Sequence, residues 1–165
     1  KTLAVRCMIA HGHLVIEAIQ FFQEVAFSRG VKIELTDRRT QYAVKGSPDL
    51  LRQVFMNLID NAVKYSDPDT VIEITPWVQK KSNALLVEVK NIGIGFSAAE
   101  ASRLFDEGFR GEQAKNKVAS GTGLGLHICE LIIGSIHKGD IMPEYSSGRR
   151  MATFRIKFPD WEYCA

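Results

Sequence analysis

An α+β fold, a two-layer sandwich with helices packed on one face of a mixed sheet, is predicted by three observations. Long runs of helical apolar spacing are separated by short alternating runs, in the order helix, strands, helix, strands, short helix, loop, helix, strands. The chain has 165 residues, enough for one domain with a substantial core. Its composition, 45% apolar and 24% charged, is that of a globular domain and far from that of a disordered chain.

Leu14 to Ser28 places apolar residues at 15, 18, 19, 22, 25 and 26, a helical stripe that Arg29-Gly30 stops. The run 31–35, VKIEL, alternates as a strand, and TQYAVKGS holds a second that turns at Gly46, so the two read as a hairpin. Ser47 is the N-cap and Pro48 the first residue of a long helix that stops at Asp67-Pro68. TVIEITPWVQK and ALLVEVKN are neighbouring strands joined near Lys81-Ser82-Asn83, and Pro76 is expected to weaken or bulge the first.

Ser97 caps a short helix through SAAEASRLFDEG, and the polar run RGEQAKNKVAS has no apolar period and reads as a loop. GTGLGLHICELIIGSIH is glycine-rich and then helical to Lys138-Gly139, and DIMPEYSS and RMATFRIKF close the chain as paired strands around Gly148.

Net charge is +2, so no broad basic field points to nucleic acid or anionic lipid, and any phosphate binding must be local. No apolar run has the 18 residues of a membrane span and no signal peptide is legible, which places the chain in the cytoplasm by expectation. Cys7, Cys129 and Cys164 are scattered, without disulfide or zinc spacing.

On the long helix Asn57, Asn61 and Lys64 stand at i, i+4 and i+7, within about 60° of one another. Spacing alone fits a solvated face equally well. A carboxamide oxygen is nevertheless a hard neutral ligand suited to Mg²⁺ whose other ligands are water and phosphate. Gly93-Ile94-Gly95 and Gly121-Thr122-Gly123-Leu124-Gly125 would let backbone N–H groups approach phosphates, and the second opens a helix, which reads as a phosphate cradle, with a tight turn plus a flexible connector as the alternative. No Gly-Lys-Ser/Thr occurs, so neither is a P-loop. Gly93-x-Gly95-x-x-Ala98 meets the dinucleotide fingerprint formally, but a polar loop replaces the strand and acidic residue that should follow.

In order, NLIDNAVKY, NIGIG, LFDEGFRG and GTGLGL resemble the N, G1, F and G2 boxes of the GHKL ATP-binding fold, specifically the catalytic domain of sensor histidine kinases. The resemblance covers nearly the whole chain, from about Leu14 to Pro159, and the F box with Lys64-Tyr65 favours the histidine kinases over the gyrase, chaperone and mismatch-repair branches. It implies that ATP and Mg²⁺ bind here, with Asn61 on the metal, Asn57 and Arg110 in the catalytic machinery, and Lys64 and Tyr65 reaching phosphate and ribose. Asn91, Gly93, Gly95 and Phe96 would border the nucleotide with Gly121, Thr122, Gly123, Leu124, Gly125 and Leu126, and Thr153 would lie beside the adenine. Phe105 and Phe109 would anchor a lid over residues 110–120.

Two departures stand out. The G1 box usually begins with Asp, whereas this chain has Asn91, whose amide accepts the adenine amino hydrogen bond without charge assistance. No phosphoacceptor box surrounds His11, His13, His127 or His137; His13 and His127 read as helix residues and His137 as a C-terminal-turn histidine. The resemblance therefore implies one ATP-binding domain over 1–165, with 1–13 the end of an upstream linker. The histidine-bearing dimerisation domain would lie elsewhere, the fragment would be a monomer of a homodimeric protein, and a response regulator would be the downstream partner. A nucleotide-gated binding module of the same fold, signalling by lid closure without transfer, is the alternative.

Overall fold

The computed structural model describes residues 5–8 and 14–164. The strands are β1 (Val5–Met8), β2 (Val31–Leu35), β3 (Tyr42–Gly46), β4 (Thr70–Gln79), β5 (Ala84–Ile92), β6 (Asp140–Ser146), β7 (Met151–Phe158) and β8 (Trp161–Tyr163). The helices are α1 (Leu14–Ser28), α2 (Pro48–Tyr65), α3 (Ala98–Ala101), α4 (Glu112–Lys117) and α5 (Gly125–Glu130), the last continuing as a π-helical turn over Leu131–Ile136.

Five strands form one mixed sheet in the order β2-β4-β5-β7-β6, and β1-β3-β8 form a second, smaller one. The expected hairpin of β2 with β3 is not made. β2 instead runs parallel to β4, with α2 in the crossover, and β3 pairs with β1 and β8. Alternation sets the face that a strand presents but not its partner, and here α2 needs the intervening chain to cross the sheet. Pro76 produces no bulge. The pairing of β4 with β5 continues through Pro76↔Val87, whereas β2 ends opposite Ile74. At Pro76 the β2 side of β4 is therefore an edge, and the missing N–H leaves no ladder bond unmade.

α2 is the central element. Ser47 accepts the N–H of Leu50, and Leu51, Val54, Phe55, Leu58, Ile59, Ala62 and Val63 are buried in the core between sheet and helices. The buried ring of His137, just beyond the π-helical turn, braces the start of this helix: Nε2 accepts the Ser47 N–H at 3.2 Å and Nδ1 donates to the Ile132 carbonyl at 2.9 Å. Both ends of the ring are committed, with Nε2 as the acceptor and Nδ1 as the donor. His127 lies in α5, as its period predicts, with Nδ1 2.9 Å from the Phe105 carbonyl. His11 and His13 lie outside the described residues.

The sheet face away from the helices carries a buried charge, Glu88, which meets Lys90 and Arg155 at 2.8 Å each and accepts a bond from the Trp77 indole. Burial works to raise its pKa, but the two cations outweigh it and hold it below the usual glutamate value. A carboxylate lowered in the folded state contributes stability above its unfolded pKa and loses it as pH falls through the folded value. Glu88→Gln should therefore cost about 2 kcal/mol at pH 7, less than a fully buried pair because both cations are partly exposed. It should also flatten the acid limb of stability below the ordinary glutamate range, as read by urea unfolding across pH.

Candidate functional site

A cavity of about 430 Å³ opens between α2, the end of β5, the segment 109–126 and β7. Its size suits a small-molecule ligand. Asn57, Asn61, Lys64 and Tyr65 line it from α2, which turns the amide face outward while the apolar stripe faces the core. The Asn57 carboxamide donates to the Gly125 carbonyl at 3.2 Å, tying α2 to the start of α5. The Asn61 side chain has no hydrogen-bond partner among the described residues. Its carboxamide is free for a ligand.

Asp60 also lines the cavity and ion-pairs with Lys64 at 2.6 Å. The sequence reading passed over it, although Asp and Lys at i, i+4 signal such a pair. Because both side chains are about 40% exposed, the pair contributes only a few tenths of a kcal/mol. Lys64 can therefore exchange this partner for a phosphate at little cost.

Residues 110–120 are not a bare loop, since α4 forms within them. Tertiary contacts supply what the missing apolar period could not. The Arg110 guanidinium donates to the carbonyls of Ala114 (3.2 Å), Ala119 (3.3 Å) and Val118, and to the Tyr65 hydroxyl at 3.5 Å. Glu100 accepts the Glu112 N–H at 2.9 Å as well as that of Ser97, which lowers its pKa. Gln113 accepts the Gly95 N–H at 3.3 Å. Lys117 reaches the carbonyls of Tyr65 and Ser66 at the C-terminus of α2, where a cation is favoured, and lies 3.7 Å from Asp67. Lys117→Ala should loosen this segment locally, raising cleavage after Glu112 by a glutamyl endopeptidase about five-fold while the global melting temperature hardly moves.

Gly121, Thr122, Gly123, Leu124, Gly125 and Leu126 all line the cavity. Gly123 has φ +68°, and a Cβ there would lie 2.6 Å from the Gly108 backbone, so this glycine locks the stretch onto the turn after α3. Gly95, Phe96, Phe109 and Arg110 are also in the lining, and Phe105 packs edge-on against Phe154 in the core.

Asn91 also lines the cavity. It is 4% exposed, and its Nδ2 is the one buried side-chain nitrogen or oxygen among the described residues without a partner. Such an orphan is costly unless a ligand completes it.

Two expected residues are elsewhere. Gly93 does not line the cavity: its N–H bonds the Arg150 carbonyl, and a Cβ would lie 2.0 Å from the Tyr65 carbonyl, so it serves the close approach of β5 to the end of α2. Thr153 is in register with Lys90 and faces the side of the sheet that carries Glu88, whereas Ala152, in register with Asn91, lines the cavity. A strand's period of two separates these neighbours, so placing Thr153 beside a ligand was one residue out. Ala152 and Phe154 were missed because they are indistinguishable in sequence from core residues.

Among the described residues no group of three or more His, Cys, Asp or Glu could hold a metal, and no helix is long and apolar enough to cross a membrane. Cys129 is buried, and burial pushes its thiol up to about 12.

Residues 46–162 match the family described as histidine kinase-, DNA gyrase B-, and HSP90-like ATPase. The sensor histidine kinase RcsC of Escherichia coli (strain K12) is 35% identical over 117 residues, 71% of this chain and 12% of that protein. The sensor-like histidine kinase SenX3 of Mycolicibacterium smegmatis is 30% identical over 148 residues, 90% of this chain and 37% of that protein. This chain thus spans well under half the length of these relatives. In fold it is similar to the mycobacterial sensor histidine kinase MprB, with a TM-score of 0.76 at 22% identity over 94% of this chain and 98% of the other. With more than half its length matched and the cavity bordered by the predicted boxes, the chain belongs to the histidine kinase-, DNA gyrase B-, and HSP90-like ATPase family of ATP-binding domains.

Proposed function

We propose that this chain is the ATP-binding catalytic domain of a two-component sensor histidine kinase. It transfers the γ-phosphate of ATP to a histidine on a dimerisation domain outside residues 1–165, for relay to a response regulator. The observation that carries this reading is the meeting, in one cavity, of the free Asn61 amide, two cations, a glycine-rich wall and the unpartnered Asn91 amide. Phosphoryl transfer relies on positioning and charge neutralisation, and these groups supply both.

In this reading Asn91 holds the purine, and Ala152 and Phe154 form apolar wall beside it. Lys64 leaves Asp60 for a phosphate, and Tyr65 reaches toward the ribose. Mg²⁺, when bound, neutralises phosphate charge, and Asn61 supplies the protein's ligand to it. The acceptor imidazole nitrogen forms a bond to the γ-phosphorus while the bond from phosphorus to the β–γ bridging oxygen breaks, so ADP leaves with that electron pair. Asn57 cannot take up a proton as a carboxylate does, and its role is to orient the acceptor. Arg110 faces the charge that develops on the γ-phosphate.

Residues 110–120 act as the lid, and Val5–Met8, whose strand β1 pairs with β3, belong to the domain and not to a linker; the protein that carries the domain is a homodimer. The isolated fragment is a monomer that binds no nucleic acid and works in the cytoplasm. Two cations within the cavity support transfer over a purely nucleotide-gated role. Incubation with γ-labelled ATP, Mg²⁺ and a dimerisation domain supplied in trans should give acid-labile, base-stable phosphohistidine. Tight ATP binding with no more label than an Asn61→Asp control would count against transfer.

A further inference from the structure

Among the described residues five polar or charged side chains are buried, namely Ser66, Glu88, Asn91, His137 and Thr153, and Asn91 is the one of them that lines the cavity. Resting on the reading of this cavity as a nucleotide site, we propose that Asn91 makes the domain tolerant of the purine 6-substituent, so that 6-oxopurine triphosphates are bound alongside ATP.

A carboxamide presents a donor and an acceptor side by side, and a half-turn about χ2 exchanges them. In one orientation Oδ1 accepts from a 6-amino group while Nδ2 donates to purine N1. In the other Nδ2 donates to a 6-oxo group while Oδ1 accepts from N1–H. Nδ2 has no partner among the protein's described atoms, so neither orientation breaks an existing bond of that group. Ala152 and Phe154, the residues of β7 on this face, are apolar and add no hydrogen-bonding side chain beside Asn91. Thr153, the hydroxyl closest to them in sequence, faces the other side of the sheet. A carboxylate at position 91 has acceptors alone and would set an oxygen against a 6-oxo group. Sites built on one hydrogen-bonding sense reject the opposite one strongly, because a buried group is left unpaired.

Titration calorimetry of the whole 165-residue chain with ATP and with inosine triphosphate, each with Mg²⁺, tests this directly. Inosine is the sharper probe, because guanine adds a 2-amino group that a carboxylate can reach from a shifted base. The expected result is an inosine triphosphate Kd within about ten-fold of that for ATP. In Asn91→Asp, ATP should bind several-fold tighter and inosine triphosphate at least ten-fold weaker, with the fold checked by thermal unfolding. ATP binding with inosine triphosphate more than a hundred-fold weaker in the unaltered chain would overturn the inference and leave the nucleotide reading standing. Equal binding of both nucleotides by the parent and Asn91→Asp would also overturn it, since residue 91 would then not be the discriminator. Failure of both nucleotides to bind the unaltered chain would sink the nucleotide reading and the inference with it.

Discussion

Asn61→Ala is expected to lower phosphotransfer about a thousand-fold while leaving the fold intact. Asn61 lies within α2, its side chain makes no hydrogen bond with another described residue and it lines the cavity, so alanine, the best helix former, removes no side-chain hydrogen bond. What it removes is the protein's one proposed ligand to Mg²⁺ among phosphates, and losing a single preorganised electrostatic contact of this kind costs about 10²–10³ in rate. Thermal unfolding should shift by no more than a degree or two, and the Mg²⁺ dependence of ATP binding should nearly vanish. An unchanged transfer rate in a folded Asn61→Ala protein would exclude this residue from the metal site and with it the proposed chemistry.

Gly93→Ala should cost about 3 kcal/mol of stability and abolish nucleotide binding together. The new Cβ would lie 2.0 Å from the Tyr65 carbonyl oxygen and 3.0 Å from Ser66 Cα. These obstacles are backbone and cannot swing aside. The Tyr65 carbonyl already accepts bonds from Ile94 N–H and Lys117, and Gly93 N–H is bonded to Arg150 at 2.8 Å, so relief means parting β5 from the end of α2. Overpacking in cores typically costs about 1–3 kcal/mol, and a clash with fixed backbone belongs at the upper end. Parting these elements would separate Asn91 from the amide face of α2. Gly148→Ala is the control, because nothing lies within 4 Å of its added Cβ. Urea denaturation and ATP titration of the two variants give the comparison, and equal behaviour would show that the approach of β5 to α2 is looser than described.

Much of this architecture was legible in the chain. α2 was readable from Ser47 to Tyr65 because capping chemistry and a strong apolar stripe agree, and the closing strands β6 and β7 follow from alternation about a turn. The second sheet was not, because β8 is three residues long and its partners lie far off in sequence. α4 was missed because its six residues bury none of their side chains and are held by Arg110 and Glu100 from outside and by Lys117 reaching out to the end of α2. No local pattern records such contacts.

The site divides in the same way. Residue types and spacing along one chain determined by themselves that two amides and a lysine share a helix face, that glycine-rich turns flank it, and that four boxes stand in order. Only the tertiary structure decided that Asn91 is buried with an unpaired nitrogen, that Gly93 serves backbone packing, and that Ala152 rather than Thr153 faces the cavity. The physical reason is that periodicity reports what a single element does with its own faces, whereas burial, hydrogen-bond completion and strand register depend on which distant element comes to lie against it.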